Sequence, residues 1–118
     1  MRGDEERVVA AFAAWLGAQG WDVQREVEHC DVVATRGGER LYAEAKGRTS
    51  SPGLDVDTMY GQLLRRMPEH AVGQARFAVV VPQEARRHAL RVPAEVRSLL
   101  GIEVYTVAPD GAVTAEEQ

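Results

Sequence analysis

A chain of 118 residues, 45% of them hydrophobic, is sized for one domain around one core and leaves little length for a second module. Its single cysteine, Cys30, excludes an intrachain disulfide, and no apolar run approaches the ~18 residues needed to cross a bilayer. The net charge of −4 excludes a uniformly basic surface, so any attraction for phosphates has to come from local charge.

The N-terminal residues, MRGDEERVV, are charged and hold no apolar signal core. Together with the lone cysteine they set the expectation of an intracellular, cytoplasmic chain with no membrane partner. Residues 4–19 read as an amphipathic helix in which Val8, Val9, Phe12 and Leu16 form one stripe. Gly3 or Asp4 can start this helix and Gly20 stops it. Glu5 falls on the apolar stripe, whereas Glu6 is turned toward its edge. A core-facing carboxylate is expensive unless something pairs with it. The alternative is a place at the helix start, near the surface, where it complements the dipole.

From Trp21 to Glu28 apolar and polar residues alternate, which predicts a first strand. Residues 31–35 (DVVAT) predict a short second strand, Gly37-Gly38 a tight hairpin, and residues 40–46 a third strand. On that third strand Leu41, Ala43 and Ala45 share one face, and Tyr42, Glu44 and Lys46 share the other. Residues 47–56 (GRTSSPGLDV) read as a Gly/Ser/Pro loop, of which Thr49 to Asp55 could close on a substrate. A helix is expected from about Asp57 to Met67, with Pro68 just past its end and Asp55 or Asp57 as its cap. Residues 76–81 predict a buried strand, and residues 83–100 a short helix, a break at Pro93 and a second helix ending at Leu100-Gly101. Ile102 to Val107 is a last strand, and residues 108–118 are an acidic tail with little structure of its own. The order is α-β-β-β-α-β-α-β in a single domain spanning residues 1–118.

Charge is distributed unevenly along this order. Residues 1–45 carry five Arg against nine acids, residues 46–97 nine Lys or Arg against five acids, and residues 98–118 four acids and no base. The middle segment is locally basic, as a phosphate-binding surface requires. Taken singly, Arg65, Arg66, Arg86 and Arg87 are equally well explained as solvated helix faces.

The hairpin brings chemistry together. It makes the second and third strands antiparallel neighbours, so Asp31, at the start of one, can lie alongside Glu44 and Lys46, at the end of the other. Two carboxylates with a backbone carbonyl such as that of Ala45 offer hard oxygen ligands to Mg²⁺. Such an ion suits phosphodiester hydrolysis, with Lys46 orienting water and offsetting transition-state charge. Against this stand bland readings: a surface Glu44–Lys46 ion pair worth less than ~1 kcal/mol, and Asp31 as a turn residue before a strand.

The stretch CDVVATRGGERLYAEAKG resembles the core motif of the PD-(D/E)XK (restriction-endonuclease-like) nuclease superfamily, with Asp31 as its aspartate and Glu44-Ala45-Lys46 as its (D/E)XK. Cys30 stands where that motif often has proline. In pattern the chain is most similar to small archaeal-type Holliday junction resolvases and Mrr-like endonucleases. The resemblance implies an α/β fold with an α-β-β-β-α-β core, a central mixed sheet flanked by helices, and an added C-terminal helix and strand. It implies a Mg²⁺- or Mn²⁺-dependent endonuclease acting on nucleic acid, most simply branched or duplex DNA, with Asp31, Glu44 and Ala45 holding the metal. It implies a catalytic glutamate near the start of the first helix, for which Glu5 is the choice and Glu6 the fallback. Gln62 matches a polar residue that many members carry on the helix after the motif.

Gln62 shares a helix face with Arg65 or Arg66. Those three either brace a water and, with Arg48, contact phosphates, or form a polar face opposite Leu63, Leu64 and Met67. His29, His70 and His88 lack partners at metal spacing, and Cys30 has no cation at fixed spacing to make it reactive. Trp15 and Trp21 are read as packing residues. A homodimer is expected, because one chain presents one site and duplex cleavage needs two; the helices around Val92 to Leu100 or the last strand could supply the contact. The competing class is a catalytically silent nucleic-acid-binding or protein-interaction domain on the same fold.

Overall fold

The structure is a computed structural model that describes residues 2–28, 30–67 and 74–116, with side chains from Asp4 onward. The expectations for His29, Pro68 and His70 lie outside the described residues. The chain runs through α1 (Arg2–Ala18), β1 (Asp22–Val27), β2 (Cys30–Arg36), β3 (Glu39–Ala45), α2 (Pro52–Arg66), β4 (Arg76–Pro82), α3 (Arg86–Ala89), α4 (Ala94–Leu100), β5 (Ile102–Val107) and β6 (Val113–Ala115). A 3₁₀ turn, Gln83–Ala85, leads into α3.

The six strands form one mixed sheet whose spatial order is the chain order. β1, β2 and β3 are antiparallel, β3, β4 and β5 are parallel, and β6 returns antiparallel to β5. Parallel neighbours cannot be joined by a tight turn; α2 makes one crossover and α3 with α4 the other. Between β2 and β3 the link is two residues, and Gly37 takes φ 62°, a left-handed conformation that glycine adopts without a Cβ clash.

Each sheet face has its own core. Val8, Val9, Phe12 and Leu16 of α1 pack over Leu41, Ala43, Ala45, Ala78 and Val80. The alanines of β3 are small enough for α1 to approach the sheet closely. Phe12 is fully buried, its ring 4.9 Å from that of Tyr105, and its burial is worth about 2–3 kcal/mol. On the opposite face Val56, Met59, Tyr60, Leu63 and Met67 cover Tyr42, Phe77, Val79 and Val81. The period-2 reading of β3 is therefore realised: odd residues face α1, and even residues face α2.

Three elements differ from the sequence expectation. α2 begins at Pro52, not near Asp57, with proline in its first turn, where the missing N–H costs nothing. Asp55 and Asp57 thus lie inside the helix, and Asp55 accepts a hydrogen bond from the Thr49 hydroxyl. The loop after β3 shrinks to residues 46–51, so residues 52–55 of the segment expected to close on a substrate belong to α2. Residues 113–115 of the expected tail form β6, tied down where Glu116 accepts hydrogen bonds from Arg86 and Thr106. In α4 the amphipathic pattern is inverted. Arg97 is 3% exposed and donates to the Val92 carbonyl, while Val96 and Leu99 are 39% and 86% exposed. Among the described residues no helix is long and apolar enough to cross a membrane.

Candidate functional site

The pairing of β2 with β3 begins at Val32↔Ala43, and beyond it the strands part. There the Asp31 carboxylate replaces a strand carbonyl: the Ala45 N–H donates to Asp31 Oδ2 at 2.8 Å. In an extended strand the N–H and C=O of one residue point to the same side. The Ala45 carbonyl therefore faces the gap as well. On its other side β3 stays anchored, with the Lys46 N–H donating to the Val80 carbonyl at 3.0 Å.

The parting coincides with a twist in the β1–β2 ribbon. Val23 packs with the α1 core, but Val27 and Cys30 pack with the α2 core, against the alternation that their parity demands. Glu26 sits between at φ 55°, and Glu28 follows at φ 52°. Left-handed conformations of this kind cost a non-glycine residue on the order of 1 kcal/mol each. The twist turns Cys30 under α2 and leaves Asp31 at the point of divergence.

A cleft of about 510 Å³ opens over this point, lined by Glu5, Glu26, Glu28, Cys30, Asp31, Glu44, Ala45, Lys46, Gln62 and Arg66. Five elements converge on it, with β1 supplying Glu26. β2 supplies Asp31, β3 and the residue after it supply Glu44, Ala45 and Lys46, α1 supplies Glu5, and α2 supplies Gln62 and Arg66.

Glu5 reaches the cleft because Gly47 lets α1 in. A Cβ on Gly47 would lie 2.6 Å from the Asp4 carbonyl carbon and 2.7 Å from Glu5 Cα, so no other residue fits without displacing the helix. The Arg48 N–H donates to the Asp4 carboxylate, and Arg7 donates to it at 3.1 Å. Burial opposes the charge of Asp4, but the Arg48 amide and Arg7 outweigh it and hold that carboxyl below the usual range. Glu6 points elsewhere, in an exposed pair with Arg25.

Glu44 is 4% exposed and takes a hydrogen bond from Arg66 Nη1 at 2.6 Å. Burial and the neighbouring Asp31 charge push its carboxyl above the ordinary range, against the pull of Arg66 and the Cys30 thiol. The thiol is in turn pushed up to about 12 by burial and by Glu44, so it is a hydrogen-bond donor and not a nucleophile.

Of the residues singled out from sequence, Glu5, Asp31, Glu44, Ala45, Lys46, Gln62 and Arg66 line one cleft. Gln62 and Arg66 are four apart on α2, which selects Arg66 over Arg65 as the arginine on that face; Arg65 is exposed. Arg48 is 70% exposed, pairs with Glu84 at 3.7 Å, and lines a separate cavity shared with Lys46, Arg87 and His88. Sequence reasoning missed Glu26, Glu28 and Gly47. The acidic spacing in REVEHCD was the one available signal for the glutamates, and nothing marked Gly47, since its constraint comes from a helix more than forty residues away.

No family model matches the chain, and no curated protein sequence matches it. Solved structures do. An XisH family protein from Nostoc punctiforme PCC 73102 superposes with a TM-score of 0.66 at 16% identity, over 94% of this chain and 99% of that one. An fdxN element excision controlling factor protein from Anabaena variabilis gives a TM-score of 0.66 at 15% identity, over 92% and 96%. At these identities the likeness is one of fold along essentially the whole of each chain.

Proposed function

We propose that this chain is a divalent-metal-dependent phosphodiester hydrolase of the restriction-endonuclease-like kind, an endonuclease acting on nucleic acid, most simply DNA. The observation that carries the reading is the junction of β2 and β3, where the Asp31 carboxylate caps the Ala45 N–H beside Glu44, in a cleft that Lys46 and Gln62 also line. That the similar solved structures include an excision controlling factor agrees with a nucleic-acid substrate.

The donor set fits a hard cation. Among the described residues no three His, Cys, Asp or Glu side chains stand close enough to hold a metal alone. Asp31, Glu44 and the Ala45 carbonyl would hold it instead, leaving positions for water, as Mg²⁺ prefers. Bound there, Mg²⁺ or Mn²⁺ would polarise a phosphoryl oxygen and acidify a water. Lys46 supplies the positive charge that orients water and offsets charge developing on the phosphoryl oxygens. The Gln62 amide, able to donate and accept, braces the water from α2. Glu5 adds a carboxylate from the α1 side, able to accept a proton or hold an outer water. Arg48 and Arg65, both exposed, would contact backbone phosphates.

The test is cleavage of branched, duplex and single-stranded DNA and of RNA with Mg²⁺ and Mn²⁺, using Asp31→Asn, Glu44→Gln and Lys46→Met. Each variant should keep the fold by circular dichroism and lose at least ~10²-fold in rate. Undiminished activity in all three would remove the proposal. The self-contained Arg66–Glu44 pair favours one rival, a silent binding domain, which should bind nucleic acid but show no Mn²⁺ affinity that depends on Asp31 and Glu44. A cytoplasmic homodimer, joined through the exposed Val96 and Leu99 of α4, would bring two sites to a duplex.

A further inference from the structure

Arg66 occupies a place that the proposed chemistry needs for something else. Its guanidinium holds Glu44 Oε2 at 2.6 Å, and the Glu44 side chain is 5% exposed. A carboxylate this buried beside a second carboxylate is poorly tolerated without a cation. Arg66 is that cation, and it also lines the cleft. A divalent ion approaching Asp31, Glu44 and the Ala45 carbonyl meets this guanidinium, and two cations on one buried carboxylate repel strongly where water is scarce. Arg66 has somewhere to go. It is the last residue of α2, with its side chain 29% exposed, so the guanidinium can leave Glu44 without unpacking the helix.

We propose that Arg66 is the resident counter-cation of the cleft: it occupies Glu44 until a divalent ion displaces it, and it then serves a phosphate of the substrate. The idea rests on the metal-dependent reading above. It adds that metal and phosphate binding are coupled through one side chain, since a phosphate that takes up Arg66 vacates Glu44, and by linkage the metal favours the phosphate equally. Arg66 is thus a positioning residue that sets metal affinity. A merely structural role predicts the opposite sign, because a Glu44 without its brace should hold metal less well.

The experiment is calorimetric titration of Mn²⁺ at pH 8 into the wild-type chain, R66Q, R66K and E44Q, with and without a short DNA duplex, each fold checked by circular dichroism. R66Q should bind Mn²⁺ at least ~5-fold more tightly than wild type without DNA, and R66K, which keeps the charge, should stay near wild type. DNA should tighten Mn²⁺ binding to wild type and have a smaller effect on R66Q. If R66Q binds Mn²⁺ equally or more weakly while wild type binds it, the counter-cation role is overturned and the metal-dependent reading stands. If neither wild type nor R66Q binds Mn²⁺, both fall together.

Discussion

Gly47→Ala tests how α1 is docked on the site. The added methyl carbon would sit 2.6–2.7 Å from backbone carbons of Asp4 and Glu5, and closer still to the Glu5 nitrogen. Carbon–carbon contacts are most favourable at about 3.5–4.0 Å. The first turn of α1 must therefore retreat by roughly 1 Å, because both partners are backbone and neither can rotate away. Overpacking of this kind costs about 1–3 kcal/mol. At roughly 3–6 °C per kcal/mol for a domain of this size, Tm should fall by roughly 3–18 °C. The same shift moves Glu5 away from Asp31 and Glu44, and a ~1 Å misplacement of a catalytic group can cost ~10²-fold in rate. Gly38→Ala is the control, since nothing lies within 4 Å of its would-be Cβ, and it should stay within ~0.5 kcal/mol of wild type. Thermal denaturation and Mn²⁺-dependent cleavage read the two effects separately. Wild-type Tm and rate in Gly47→Ala would refute the tight docking of α1 on the segment after β3.

Other expectations follow from the same contacts. Asp4→Asn should lower Tm near neutral pH, because the Asp4 carboxylate, with its pKa held below the usual carboxylate range, stabilises the fold above that range. This contribution is lost as pH falls through the depressed folded pKa, so the gap between wild type and variant in pH-dependent melts should close in acid; a gap constant with pH would count against it. Cys30, with its thiol at about 12, should resist a thiol-specific disulfide reagent at pH 8 in the native chain and react promptly in urea; equal rates would contradict its burial. Leu99→Asp should leave Tm nearly unchanged, since that side chain is 86% exposed, and should dissociate the proposed dimer in light-scattering chromatography; an unaltered dimer would move the interface off α4.

Much of the candidate site was legible because its geometry depends on short-range rules. The period-2 alternation of β3 put Glu44 and Lys46 on one face, and a two-residue glycine hairpin allowed little choice in aligning Asp31 with them. The 3.6-residue period of α1 distinguished Glu5 from Glu6 before any contact was known. Local rules misled where a signal had two meanings. Pro52 looked like a loop residue and is a helix start. Residues 108–118 looked like a tail, yet residues 113–115 add the edge strand β6 to the sheet.

The sequence by itself determined the element order as far as β5, the hairpin register and the side-by-side placement of Asp31, Glu44 and Lys46, because each follows from steric and periodic constraints between residues close in the chain. Only the tertiary structure decided which groups surround them. The twist at Glu26 that frees the Asp31 carboxylate, the pressure of α1 on Gly47, and the choice of Arg66 over Arg65 as partner of Glu44 arise where separate elements pack together. Distances and burial of that kind are set by the packing of the whole sheet and its helices, and no local window of sequence contains them.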